Sequence, residues 1–164
     1  MAILSDVIGP LGQMDAALFQ QLGDELLRAI YKPINIESRG TKEGQVKTVK
    51  GSPDTVFTMS DGKVLIEYTT QSNRPKNQFV AKLKSDIDSC INIKKTRIPI
   101  DEIKEIVLVS NQRIAIDIQD NLRTFLWKQY PDIKLTIFSI DDIATKLRQV
   151  PRICLLYTSP SPRD

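Results

Sequence analysis

The segment at residues 105–110 reads EIVLVS, a nearly continuous run of apolar residues that favour β-structure. Such a run is typical of a strand buried on both faces, and strands of that kind lie in sheets that helices cover from both sides. The segments around it alternate between strand-like and helix-like spacing of apolar residues. We therefore predict an α/β domain with a mixed central β-sheet flanked by helices, in the order α-β-β-β-α-β followed by α-β-α.

The other elements are predicted from periodicity and from capping residues. Asp15 is a suitable N-cap for a helix that ends before Pro33. Ser139 and Asp142 have the spacing of a capping box at the start of the last helix. Two more helices are predicted over residues 79–91 and 114–128, and strands over residues 34–38, 54–59, 63–70 and 134–138.

The chain contains no histidine, which removes the commonest general base and the commonest metal-ligating nitrogen. Ser-His-Asp hydrolases, Cys-His hydrolases and His-ligated zinc enzymes are therefore excluded, and the two cysteines, Cys90 and Cys154, are too few for a thiolate zinc site. No apolar run reaches the roughly 18 residues of a membrane-spanning helix. Because residues 1–13 also lack the pattern of a signal peptide, we expect a cytoplasmic protein without a membrane partner.

The segment at residues 154–164 reads CLLYTSPSPRD and differs abruptly in composition from the chain before it. It resembles the translation of a sequencing adaptor, and we expect it to be a non-native tail. The domain itself is then residues 1–153. We expect this domain to be the N-terminal fragment of a longer protein whose missing C-terminal regions mediate any oligomerisation.

The dipeptide Asp61-Gly62 separates two strand-like segments and suits a type I′ turn, which predicts a β-hairpin. A two-residue loop at these positions pairs Asp54 with Thr69 and places Glu67 diagonally across from Asp54 on the same face. Two carboxylates so placed repel each other unless a hard divalent cation, Mg²⁺ or Mn²⁺, binds between them. The pattern indicates a metal site, and an exposed acidic hairpin is the alternative.

A third metal ligand is predicted in the first helix. Glu25 lies close to the apolar stripe of that helix, so its carboxylate is a candidate for the same cation. The alternative is an ordinary flanking carboxylate, with its stem along the core edge and its head in water.

The loop before the hairpin is basic. It carries Arg39, Lys42, Lys47 and Lys50 against a single acidic residue, Glu43. Since the net charge of the whole chain is only +3, this local cluster and not the overall balance indicates a nucleic-acid partner. We expect the loop to lie where a phosphate backbone passes the carboxylates, and a solvated charged loop is the alternative.

The sequence Ser52-Pro53-Asp54, followed by a hairpin and by residues 67–71 (EYTTQ), is similar to the motif of the PD-(D/E)xK nucleases. The resemblance spans residues 15–110 and implies the restriction-endonuclease-like core. It also implies hydrolysis of nucleic acid with Mg²⁺ held by Asp54 and Glu67. Residues 47–54 and 67–71 further resemble the N-terminal nuclease domains of large bacterial NTPases of the NACHT type, which implies the effector module of a phage-defence protein.

The chain departs from the family pattern two residues after the acidic position, where Thr69 stands in place of lysine. Threonine carries no positive charge and is not a strong base, so another group has to supply the cation. Lys50 has the same strand parity as Asp54 and is the candidate for that role, with a solvated loop lysine as the alternative. Gln71 is a candidate to orient water.

The expectation that follows is a Mg²⁺-dependent endonuclease domain acting on nucleic acid, on DNA rather than on RNA. The alternative is a catalytically inactive relative that binds nucleic acid or mediates assembly. Thr69 is the residue that favours the alternative.

Overall fold

A computed structural model describes residues 4–39, 52–70 and 75–158 of the chain. Its centre is a five-stranded sheet whose strands lie side by side in chain order. The strands are β1 (Asn35–Ser38), β2 (Thr55–Met59), β3 (Gly62–Thr69), β4 (Ile103–Ser110) and β5 (Lys134–Phe138). The pairs β1–β2 and β2–β3 are antiparallel, whereas β3–β4 and β4–β5 are parallel, so the predicted mixed sheet is confirmed.

Helices cover both faces of this sheet. They are α1 (Leu4–Gln13), α2 (Ala16–Tyr31), α3 (Lys76–Cys90), α4 (Ile93–Thr96), α5 (Ile116–Gln129), α6 (Ile140–Arg148) and α7 (Pro151–Thr158). Parallel strands need crossover connections, and α3 with α4 connects β3 to β4 while α5 connects β4 to β5. The predicted α/β class is therefore confirmed.

The two faces of the sheet pack into separate apolar layers. In β4, Val107 and Val109 face the layer built with α1, α2, α6 and α7. Ile106 and Leu108 face the layer built with α3 and α5. The strand is thus buried on both faces, as its nearly continuous apolar sequence predicts.

The helix starts confirm the capping predictions. Asp15 accepts a hydrogen bond from the backbone N–H of Leu18 at 2.8 Å and caps α2. At α6, the backbone N–H of Ser139 donates to Oδ2 of Asp142 at 2.9 Å. Helices α1, α4 and α7 were not predicted: α1 contains Pro10, α4 is a single turn, and α7 lies largely in the segment assigned to a tail.

Helix α7 crosses the position at which the native domain is predicted to end. Cys154, the first residue of the predicted tail, is buried in the layer that also contains α1, α2 and α6. The assignment of residues 154–164 to a non-native tail stays a prediction. Within residues 4–39, 52–70 and 75–158, no helix combines the length and the hydropathy needed to cross a bilayer.

The hairpin turn lies one residue earlier than predicted. Met59 pairs with Gly62, so the turn residues are Ser60 and Asp61. Gly62 has φ +152°, and a Cβ at this position would lie 3.1 Å from the carbonyl oxygen of Glu102, so only glycine fits here without strain. The pairing differs from the predicted register by two residues, an even number, and each side chain therefore keeps its predicted face.

Candidate functional site

The open end of the hairpin, opposite its turn, brings Asp54 and Glu67 together as a carboxylate pair. Asp54 directly precedes β2, and the observed register continued by one residue places it opposite Glu67, not diagonally as predicted. Oε1 of Glu67 accepts a hydrogen bond from the N–H of Asp54 at 3.3 Å, and Oδ2 of Asp54 accepts one from the N–H of Tyr68 at 2.8 Å. Each carboxylate is therefore held by the backbone of the opposite segment.

Burial and mutual repulsion govern the ionisation of the carboxylate pair. Glu67 is only 7% exposed, and burial, followed by the charges of Asp54 and Asp86, raises the pKa of Glu67 to about 9. Burial also raises the pKa of Asp54, although the hydrogen bond from the Tyr68 N–H opposes this change. Without a bound cation, the pair therefore keeps a proton at neutral pH.

Helix α3 adds an acidic and a basic side chain beside the carboxylate pair. Oγ1 of Thr69 donates to Oδ2 of Asp86 at 3.3 Å, and Nζ of Lys82 donates to both oxygens of Asp86 at 2.6 and 2.8 Å. The charge of Asp86 raises the pKa of both members of the pair, and the charge of Lys82 lowers it. Sequence reasoning missed Lys82 and Asp86. Their spacing of four residues was the available signal, but it does not tell which helix face lies on β3.

Of the other predicted site residues, the structure describes Thr69 but not Lys42, Lys47, Lys50 or Gln71. Thr69 lies two residues beyond Glu67 in β3 and is 3% exposed. Lys50 and Gln71, the candidates for the missing cation and for a water-orienting group, lie outside the described residues. Lys42 and Lys47 of the basic loop also lie outside them.

Arg39 is the member of the basic loop that the structure describes, and its guanidinium is engaged in protein contacts. Nε lies 3.1 Å from a carboxylate oxygen of Glu37. Nη1 donates to the carbonyl oxygen of Ser52 at 3.2 Å and to that of Thr96. The backbone N–H of Arg39 donates to the carbonyl oxygen of Asp54 at 2.8 Å. Arg39 thus fixes the segment that leads into Asp54, and phosphate would have to compete with these contacts.

The structure does not bring Glu25 to the carboxylate pair. The Glu25 carboxylate accepts a hydrogen bond from the hydroxyl of Tyr157 and lines a surface cavity together with Arg28 and Arg152. Helix α2 instead directs Asp24 towards β2 and β3, because consecutive residues of an α-helix point about 100° apart. The position expected for Glu25 is therefore corrected.

Asp24 binds the opposite face of the same strands. Its Oδ1 accepts hydrogen bonds from the hydroxyls of Tyr68 at 2.7 Å and Thr55 at 2.8 Å. Oδ2 accepts one from Oγ of Ser38 at 3.3 Å. Burial raises the pKa of Asp24 to about 6. Because side chains alternate along a strand, Tyr68 faces away from the side of the sheet that Glu67 faces, so Asp24 supports the strands and does not share a ligand position with the pair.

The carboxylate pair has the donor chemistry of a Mg²⁺ or Mn²⁺ site. Mg²⁺ commonly takes one or two carboxylates together with water molecules and substrate phosphates. The raised pKa values of Asp54 and Glu67 mark a place where a cation would relieve repulsion. Across the described ranges, no group of three or more His, Cys, Asp and Glu side chains is arranged to hold a metal ion by itself. A two-carboxylate site with the remaining positions taken by water and phosphate fits the residues present.

The sequence fits no family model and matches no curated protein. The function has therefore to be inferred from the carboxylate pair, from the two charged residues of α3 and from the sheet that holds them.

Proposed function

We propose that the chain is a Mg²⁺-dependent endonuclease domain that hydrolyses phosphodiester bonds in DNA. The observation that carries the proposal is the carboxylate pair, since Asp54 and Glu67 converge at the open end of the hairpin and have raised pKa values. On an exposed acidic hairpin, burial would not raise the pKa values of the carboxylates. Asp61 at the turn is such an exposed acid, and the hydrogen bond from Lys104 lowers its pKa.

The order of the elements supports a restriction-endonuclease-like core. Helix α2, the β2–β3 hairpin, the crossover helix α3 and the parallel strand β4 follow one another as the resemblance implies. Both faces of the sheet are covered, so the pair stands on a rigid support.

The proposed reaction adds one water molecule to a phosphodiester. The water oxygen forms a bond to phosphorus while the bond from phosphorus to one ester oxygen breaks. That ester oxygen leaves with the electron pair and takes up a proton from solvent, and the attacking water releases a proton to solvent. Bound Mg²⁺ would supply Lewis acidity at the phosphoryl oxygens and would lower the pKa of the attacking water.

The residues around the pair preorganise it for this reaction. Asp54 and Glu67 would hold the cation, each oriented by a backbone N–H of the opposite segment. Oγ of Ser52, 3.5 Å from Oε2 of Glu67, adds a donor on the same side. The hydrogen bond from Tyr68 to Asp24 fixes β3 from the other face of the sheet.

Cleavage of supercoiled plasmid and of linear duplex DNA tests the proposal. We expect cleavage in Mg²⁺ or Mn²⁺ that EDTA abolishes, and we expect it to be lost in Asp54→Asn and in Glu67→Gln. Asp61→Asn is the matched control, because it removes one carboxylate from the exposed end of the same hairpin. Equal activity in the wild type and in all three variants overturns the proposal.

A catalytically inactive module that binds nucleic acid or mediates assembly is the second candidate. Thr69 favours it, because a hydroxyl bonded to Asp86 supplies no positive charge at this position of β3. In that case the wild-type protein retards labelled duplex DNA in a mobility assay and cuts it in neither metal. This result would replace the first proposal with the second.

A further inference from the structure

We infer that Lys82 of α3 is the catalytic cation of this site and that Asp86 is the residue that positions it, an inference that rests on the proposed endonuclease function. The motif places a lysine two residues after Glu67, where this chain has Thr69. The structure brings a lysine to the same region from a different element. This assignment takes the place of the one that the sequence suggested for Lys50.

Two contacts join Lys82 to β3. Nζ of Lys82 lies 2.6 Å from Oδ1 and 2.8 Å from Oδ2 of Asp86. Oδ2 of Asp86 lies 3.3 Å from Oγ1 of Thr69. Thr69 and Glu67 are two residues apart in one strand, so their side chains lie on the same face of the sheet. The ammonium group therefore lies on the face that carries the carboxylate pair.

Partial burial makes Lys82 suitable for this role. Its side chain is 31% exposed and that of Asp86 is 13% exposed. A charge in such a position acts more strongly than one in bulk water, while a substrate can still approach its exposed side.

Two other lysines near the hairpin are bound at its turn end. Nζ of Lys63 donates to Oγ1 of Thr58 at 2.8 Å. Nζ of Lys104 lies 3.0 Å from Asp61. Of these three lysines, Lys82 is the one at the open end, where the carboxylate pair lies.

The chemistry needs a fixed positive charge there. Negative charge grows on the phosphoryl oxygens and on the leaving oxygen as the ester bond breaks. Lys82 would stabilise that charge as an ammonium group throughout, while the leaving oxygen takes its proton from solvent. Asp86 would hold the ammonium with both carboxylate oxygens until a phosphate oxygen competes for it. One preorganised donor of this kind contributes about 10²–10³-fold to the rate.

The inference is tested by removing the positive charge of Lys82 and by introducing a lysine in place of Thr69. Lys82→Met removes the ammonium but keeps most of the side-chain length, and we expect the rate of DNA cleavage to fall about 10²–10³-fold. Lys84→Met is the matched control on the same helix, because Lys84 lies over the ring of Phe125, 5.3 Å from its centroid, and its rate should equal that of the wild type. The double variant Thr69→Lys/Lys82→Met returns a lysine to the motif position, and we expect it to regain most of the lost rate.

A second readout does not depend on turnover. We expect ¹³C NMR titration of the Glu67 carboxyl without metal to give a higher pKa in Lys82→Met than in the wild type, because the ammonium charge that lowers it is gone. The double variant should lower that pKa again, and Lys84→Met should leave it unchanged. A loss of activity through misfolding would not produce this pattern.

The outcomes separate the inference from the proposed function. A wild-type protein that cleaves DNA, together with an equally active Lys82→Met, overturns the inference alone. A wild-type protein that cleaves no better than Asp54→Asn overturns both. If the double variant does not fold, Lys82→Arg replaces it: activity kept in Arg and lost in Met supports the inference. Equal loss in both overturns it.

Discussion

The acidic side chains at the two ends of the hairpin have pKa values that are shifted in opposite directions. At the turn, Asp61 is exposed, and its hydrogen bond from Lys104 lowers its pKa. At the open end, Glu67 is buried, and burial raises its pKa to about 9. Each end has a lysine, Lys104 at the turn and Lys82 at the open end. The difference therefore comes mainly from desolvation, and the packing of helices on the open end decides which carboxylate has a raised pKa.

Helix α2 closes the open end from one face through a glycine. A Cβ added at Gly23 would lie 2.2 Å from Cε1 of Tyr68, so only glycine lets α2 approach β3 this closely. That approach allows the Tyr68 hydroxyl to reach Asp24 at 2.7 Å. Substitutions at specific residues can therefore weaken or strengthen the difference in burial and pKa between the two ends of the hairpin.

The largest effect on stability is expected from Gly23→Ala. The added methyl group collides with the Tyr68 ring, and we expect the free energy of unfolding in urea to fall by about 3 kcal/mol. The control is Gly12→Ala in α1, where the nearest atom to a Cβ is Cδ1 of Ile140 at 3.9 Å, an ordinary van der Waals contact. This control should raise the free energy of unfolding by about 0.5–1 kcal/mol, because alanine favours the helix. Unchanged urea unfolding in Gly23→Ala would contradict the close packing of α2 on β3.

The next effect is a pH dependence that belongs to the open end alone. The pKa of Glu67 is raised from 4.5 to about 9 on folding, so between these values the folded state binds more protons than the unfolded state. The free energy of unfolding without metal should therefore fall as pH rises through this window. Asp24, with a pKa raised to about 6, adds to the lower part of the window.

Urea unfolding at several pH values in EDTA measures this slope. Glu67→Gln should flatten it, because glutamine does not titrate. Asp61→Asn should leave it unchanged, because the pKa of Asp61 is lowered and its titration lies below the window. A Glu67→Gln variant with the wild-type slope would show that Glu67 is not held protonated by burial.

Mg²⁺ should favour the ionised form of the carboxylates at the open end and leave Asp61 at the turn unaffected. Binding to the folded state stabilises it by about 1.4 kcal/mol at ten times the dissociation constant. Because the cation favours the ionised carboxylates, binding should also release protons, which calorimetry in buffers of different ionisation enthalpy detects. Asp54→Asn should lose both responses and Asp61→Asn should keep both. An unaltered response in Asp54→Asn would place the metal elsewhere.

The smallest effect is expected at the turn. Lys104→Met breaks an exposed ion pair, and such pairs contribute little to stability, so the thermal unfolding midpoint should stay within experimental error. The pKa of Asp61, followed by NMR, should rise towards its ordinary value because its hydrogen-bond donor is gone. A marked fall of the midpoint would show that the turn end also depends on its charges.

The parts of this fold that were predictable from sequence depend on short-range chemistry. Asp15 and Ser139 cap their helices through residues three positions away, and alternation assigns Glu67 and Thr69 to one face. Register was missed because Gly62 lies against the 3₁₀ turn Ile100–Glu102, forty residues later in the chain, where an added Cβ would be 3.1 Å from the carbonyl oxygen of Glu102. The side chains of the hairpin nevertheless lie on their predicted faces, because the register differs from the predicted one by an even number of residues.

The parts of the candidate site that were not predictable depend on how helices pack on the sheet. Nothing in the spacing of Lys82 and Asp86 tells that this side of α3 lies beside Thr69. Similarly, Asp24 and Glu25 are neighbours in sequence, and only the rotation of α2 on β3 decides which of them reaches the hairpin.

The contacts of Arg39 determine where the sequence of the domain can change without displacing Asp54. Its backbone N–H and its guanidinium hold the carbonyl oxygens of Asp54 and Ser52, at 2.8 and 3.2 Å. Twelve residues separate Arg39 from Ser52 in the sequence, and this clamp joins the two ends of that stretch at its base. Insertions, deletions or exchanges between the clamped ends can therefore be accommodated without moving Asp54. The clamp makes this stretch a natural graft point, where a different sequence can be introduced while Asp54 keeps its position before β2.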